Sequence, residues 1–146
     1  MHEANRNPEL ALLPATAADS DSAAALARRL GLPLLASGSS PLDCDTHDAL
    51  LIVDGRALRL QRTGRGAPGP VAVDFGSAAM RHRRHAGARE LLGRAVGQGG
   101  KKMLRVLDAT AGLGTDAFVL ADQGSEVVLC EREPVIAELL RSGLQV

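Results

Sequence analysis

Two apolar stretches in the C-terminal part of the chain are each closed by an acid. Residues 104–108 read Leu-Arg-Val-Leu-Asp and end at Asp108; residues 127–131 read Val-Val-Leu-Cys-Glu and end at Glu131. Short apolar runs bounded by turn residues predict buried strands. Between them lie Gly112 and Gly114, then a helical pattern over 115–123 that stops at Gly124. Strand, glycine turn, helix, strand is half of a nucleotide-binding α/β unit. A further helix is predicted over 134–142.

Upstream, the pattern is less regular. Residues 50–61 alternate as a hairpin around Asp54-Gly55, a turn signal because glycine tolerates positive φ. The alternation places Leu58 and Leu60 inward and Arg59 and Gln61 outward. Ser20 or Asp21 caps a helix through Ala25, Leu26 and Leu30, stopped by Gly31 and Pro33. Residues 32–36 and 71–75 read as short strands, and 63–70 as a flexible link. Residues 88–96 read as a helix with Leu91, Leu92, Ala95 and Val96 on one face, followed by a loop over 97–102. Residues 1–19 are polar and Ala-rich without periodicity and are expected to be disordered. The organisation is then a small α/β subdomain over 20–75, a basic helical connector over 76–102, and the start of a Rossmann-like domain over 103–146.

Composition narrows the chemistry. The 146 residues carry 17 basic and 17 acidic side chains, a formal net charge of zero, so any nucleic-acid surface is local. With two Phe and no Tyr or Trp, the core is built from Leu, Val and Ala, and aromatic platforms for base stacking are not available. Cys44 and Cys130 are the only cysteines, which fits a reducing cytoplasm and no disulfide framework. Cys130, in an apolar strand, reads as a buried structural thiol. No signal peptide and no membrane-length apolar run are seen. Asp43, Cys44, Asp45, His47 and Asp48 cluster in a turn-rich stretch; a solvated loop is favoured over a metal site.

The glycine turn carries the candidate chemistry. Glycines let backbone approach a ligand with no Cβ in the way, and the following helix offers its first N–H groups. A carboxylate at the tip of the next strand can take both hydroxyls of a ribose, and Glu131 lies 17 positions after Gly114 (131 − 114), near the roughly 20 expected of such an acid. Two cofactors compete. Gly112-Leu-Gly114-Thr-Asp-Ala117 fits the loose dinucleotide form G-x-G-x-x-A, which implies NAD(P). Asp108, three residues, then Gly-x-Gly is the spacing of the first motif of S-adenosylmethionine-dependent methyltransferases. A separate basic cluster, Arg81, Arg83 and Arg84 with Arg89 and Arg94 beyond, is either a solvated helix face or a phosphate contact.

Val73-Asp-Phe75, Met80 with His82-Arg-Arg84, Gly93-Arg-Ala-Val-Gly97, the run from Leu107 through Asp-Ala-Thr-Ala-Gly-Leu to Gly114, Asp116-Ala-Phe-Val-Leu-Ala121, and Glu131 with Arg132 and Pro134 together resemble the RsmJ family. The similarity covers roughly residue 25 to the end. The resemblance implies a Rossmann-like, S-adenosylmethionine-dependent methyltransferase acting on the exocyclic N2 of a guanine in small-subunit ribosomal RNA, a cytoplasmic step of ribosome biogenesis with no metal and no membrane. It places cofactor contacts at Asp108, Gly112, Gly114, Thr115, Asp116, Glu131 and Arg132, with Thr115 standing where the family often has Arg. It makes Arg81, Arg83, Arg84 and Arg89 the RNA-binding candidates. The family's Asp-Pro-type acceptor motif does not occur in the sequence, so the resemblance is to the N-terminal portion, no residue here is assigned as catalytic, and the chain alone is expected to be inactive. The rivals are an NAD(P)-dependent oxidoreductase and a non-catalytic RNA-binding module.

Overall fold

The computed structural model describes the backbone of residues 8–85, 88–97 and 103–145, and the side chains of these residues except 83–85 and 88–90. The described chain forms two compact units, divided between Ala72 and Val73. The segment 76–102, expected as a connector, falls within the second unit.

The first unit holds β1 (Leu10–Pro14), a 3-10 turn (Ala17–Asp19), α1 (Ser20–Leu30), β2 (Ala49–Asp54) and β3 (Ala57–Arg62). The sheet order is β1-β2-β3. β1 runs parallel to β2, with Leu12 opposite Leu51, and β2 runs antiparallel to β3, with Leu51 opposite Leu60. The expected disorder over 1–19 is therefore wrong from Leu10 onward. Ala11, Leu12, Leu13 and Pro14 are all buried, and a strand covered on both faces shows no alternation to read. α1 contributes Ala23, Leu26 and Ala27 to the core at helical spacing and ends at Gly31, whose φ is 66°. The cap lies upstream of the predicted one. Asp19 Oδ2 accepts from Thr16 N–H (3.0 Å) and Thr16 Oγ1 (2.7 Å), and its Oδ1 accepts from Gly55 N–H (2.8 Å).

Three other sequence expectations shift in this unit. The hairpin loop is Gly55-Arg56, because Asp54 still pairs with Ala57 in the ladder. Gln61 is buried rather than outward: its Nε2 donates to Arg62 O (2.9 Å) and Pro68 O (2.7 Å), so the following loop satisfies the amide. The predicted strands at 32–36 and 71–75 are reduced to single bridges, Leu12 with Leu34 and Leu60 with Val71. Pro33 and Pro70, one beside each bridge, supply no N–H to lengthen a ladder.

The second unit holds α2 (Ala78–His85), α3 (Ala88–Ala95), β4 (Arg105–Asp108), α4 (Thr115–Asp122), β5 (Glu126–Leu129) and α5 (Pro134–Gly143). β4 and β5 pair in parallel, with Leu107 opposite Val128 and Asp108 opposite Leu129; α4 is the crossover, as a parallel pair requires. Pro134 opens α5, where its missing N–H costs nothing. The core comes from Ala117, Val119 and Leu120 of α4 and Leu139 and Leu140 of α5. Leu91 of α3, read as part of one apolar helix face, is 72% exposed. Cys130 is also exposed, one residue past the end of β5, so the buried-thiol reading does not hold.

Candidate cofactor site

The site grows from the end of β4. Asp108 closes that strand, and its Oδ1 accepts the Thr110 N–H at 3.1 Å, turning the chain sharply away from the sheet. The next backbone groups are tied to the end of β5: Cys130 N–H donates to Asp108 O (2.8 Å), and Ala111 N–H donates to Cys130 O (2.9 Å). Strand pairing thus continues past both named strands and carries the two acids to one end of the sheet.

The two glycines do different work. Gly112 has a φ of 53°, and a Cβ there would meet nothing within 4 Å. Its requirement is conformational, and space stands open beside its Cα. Gly114, the N-cap of α4, has a φ of 74°, and a Cβ there would sit 2.5 Å from Leu140 Cδ1 and 3.3 Å from Phe75 Cζ. Its missing side chain makes room for α5 and for an aromatic ring. Phe75 stacks on Phe118 with ring centroids 4.4 Å apart and planes 5° from parallel. The two Phe residues of the chain therefore back the start of α4. No side chain caps α4, and Asp116 is acidic in its first turn; Thr115 is half-buried and Asp116 exposed.

Glu131 meets the glycine loop directly. Its Oε2 accepts the Gly112 N–H at 2.8 Å, and its Oε1 accepts the Glu133 N–H at 2.8 Å. These two backbone donors, Glu133 first and Gly112 second, hold its carboxyl below the usual glutamate value, and the charge of Arg132 acts in the same direction. Arg132 is exposed, with its Nε 3.4 Å from Glu133 Oε1. Of the seven cofactor candidates, Asp108, Gly112 and Glu131 are joined in this hydrogen-bonded frame. Gly114, Thr115 and Asp116 form the adjoining helix start, and Arg132 lies on the outside. The contributions of Ala111, Glu133, Phe75 and Leu140 were not named as site residues from the sequence, although Phe75 and Ala111 lie in stretches that carry the family resemblance.

Arg81 of α2 is exposed and its Nη1 donates to Gly76 O at 2.6 Å. The side chains of Arg83, Arg84 and Arg89 lie outside the described residues. Among the described residues no three His, Cys, Asp or Glu side chains are placed to hold a metal ion. None of the described helices is long and apolar enough to cross a membrane.

A parallel β-α-β unit with a positive-φ glycine loop and an acid bonded across it is the nucleotide-binding half of a Rossmann-like domain. Residues 37–146 match the family model "Putative SAM-dependent methyltransferase", and the chain belongs to that family. That membership decides between the two cofactors in favour of S-adenosylmethionine. Ribosomal RNA small subunit methyltransferase J of Marinobacter nauticus is 46% identical over 138 residues, covering 92% of this chain and 49% of the relative. Its counterpart in Coxiella burnetii is 44% identical over 141 residues, covering 95% of this chain and 54% of the relative. A SAM-dependent methyltransferase of known structure from Neisseria gonorrhoeae aligns with a TM-score of 0.62 at 34% identity, covering 92% of this chain and 51% of that one. The chain thus spans about half the length of the relatives it matches, and the resemblance to the RsmJ family holds along most of it.

Proposed function

We propose that this chain supplies the cofactor-binding part of an enzyme that methylates the N2 amine of a guanine in small-subunit ribosomal RNA, in the cytoplasm. The observation that carries the reading is the frame at the end of β4 and β5. A charged carboxylate, an open glycine and an uncapped helix start are adjacent there. The donor set fits an adenosine-containing cation. Each Glu131 oxygen retains a lone pair beyond the backbone bond it accepts, enough to receive the two ribose hydroxyls. Gly112 leaves room for close approach of a ligand to the loop. Asp108 and Asp116 add negative charge suited to a sulfonium, and Thr115 adds a hydroxyl at the first turn of α4.

S-adenosylmethionine, when bound, supplies an activated methyl group. The chain's own work is orientation: Glu131 fixes the ribose, and the 112–114 loop fixes the part of the ligand that lies over it. Arg81, Arg83, Arg84 and Arg89 serve as phosphate contacts that hold the RNA. This is supported by their concentration in an otherwise neutral chain and by the printed names of the relatives.

The test is calorimetry of the chain with S-adenosylhomocysteine and, separately, NADH. Binding of the first and not the second is expected. Glu131→Ala should weaken S-adenosylhomocysteine roughly tenfold or more, as loss of a charge-assisted pair of hydrogen bonds would. Equal affinity of a folded variant would remove Glu131 from the site.

A further inference from the structure

We infer that Glu131 is a positioning residue as well as a ligand contact: its carboxylate locks the glycine loop to the 131–133 turn, so that one wall of the site is formed before any ligand arrives. The geometry is a bridge. One oxygen takes the N–H of Gly112 and the other takes the N–H of Glu133, each at 2.8 Å, across 19 residues of chain on one side and two on the other. Gly112 is the loop residue that most needs holding. Its φ is 53°, and no neighbour stands where a Cβ would be; the carboxylate bond holds the backbone there together with the Ala111-to-Cys130 bond (2.9 Å) and the Gly114 N–H to Ala111 O bond (2.8 Å) on either side.

The inference rests on the cofactor reading in one respect only, that the remaining lone pairs of the same oxygens receive the ribose. A ligand diol and the loop then share one carboxylate, and the ligand meets an acceptor already aimed by two backbone donors. Ordering costs that a free carboxylate would incur on binding are met during folding instead.

The charge state of Glu131 should therefore be visible in the loop without any ligand. The charged groups around it are Arg132 and Glu133 beside it, Asp108 at the end of the neighbouring strand and Asp116 in the first turn of α4. Amide spectra of the ligand-free chain, recorded by NMR from pH 7 downward, are the measurement. Gly112 and Glu133 amide protons are expected to shift together with one midpoint, below that of an ordinary glutamate. In Glu131→Gln that common step should vanish. A glutamine has one acceptor oxygen in place of two, so only one of the two backbone donors can keep a partner, and exchange of the other should quicken roughly fivefold, the equivalent of one hydrogen bond.

Separate midpoints for the two amides, or a common step that survives in Glu131→Gln, would overturn the inference. A common step in a chain that fails to bind S-adenosylhomocysteine would support the lock and overturn the cofactor reading instead. The wild-type titration needs no substitution, so a variant that fails to fold does not remove the test.

Discussion

The two sheets of this protein are built from similar residues and are covered differently. In the first unit, four of the five residues of β1 are buried, as are Ala49, Leu50, Leu51 and Val53 of β2. In the second unit, β4 and β5 each alternate exposed and half-buried positions, and Leu107 and Val128, opposite one another in register, are 65% and 51% exposed. Parallel strands are ordinarily covered on both faces. The first sheet meets that condition with its own helix and loops. The second packs one face and leaves an apolar pair open on the other, and the candidate site stands at the end of that second sheet.

The comparison can be attacked first where it predicts the largest loss. Leu51 is fully buried in the first sheet. Leu51→Ala should cost about 2–5 kcal/mol, as deletion of a core leucine does, measured by urea denaturation of the chain. A cost near zero would show that the first sheet is not the well-packed one. Gly114→Ala should come next. The new Cβ meets Leu140 Cδ1 at 2.5 Å in a left-handed backbone conformation, a combination worth about 2–4 kcal/mol. Gly112→Ala carries only the conformational part, about 1–2 kcal/mol, because nothing stands near its Cβ. The gap between the two glycine variants measures how far the second unit depends on α5 packing against the loop rather than on its sheet.

A pH experiment sharpens the contrast from the side of the first unit. Asp19 is held below the usual carboxylate range, first by the Thr16 side chain and then by the Gly55 N–H. A folded value below the unfolded one means that the stabilisation is present above the unfolded value, about 3.9, and is lost as pH falls through the folded value. The difference in Tm between wild type and Asp19→Ala should be full at pH 7 and shrink below about pH 4. A constant difference would remove the charged bridge between α1 and the β2–β3 turn. The smallest effect is expected at the exposed pair: Leu107→Ser should change stability by no more than about 0.5 kcal/mol. A large loss there would show that the open face is covered in solution.

The site was more legible in the sequence than the first unit was. Asp108, Gly112, Gly114 and Glu131 could be singled out as candidates because a β-α-β turn keeps its chemistry local: acid, spacing and glycines fall within one short stretch. The bond from Glu131 to Gly112 could not, since it follows from how β4 and β5 align in register. Val106, Val127 and Leu129 of the second sheet are only partly covered, and the exposed residues are on the opposite face of the pleat. β1 was lost because burial on both faces erases period two. Gln61 was misplaced because its partner Pro68 O lies in a loop that no alternation predicts.

The two bridges that border the first sheet have a consequence for how molecules of this protein meet. A sheet edge with a free row of N–H and C=O groups is a template for another chain. Here one edge is met by Leu34 beside Pro33, and the other by Val71 beside Pro70. Each contact satisfies part of the row, and each is followed or preceded by a residue that cannot continue it. A foreign strand arriving at either side finds its first hydrogen bonds already taken and a proline ring in its path. Self-association through the edges of the first sheet is thereby discouraged.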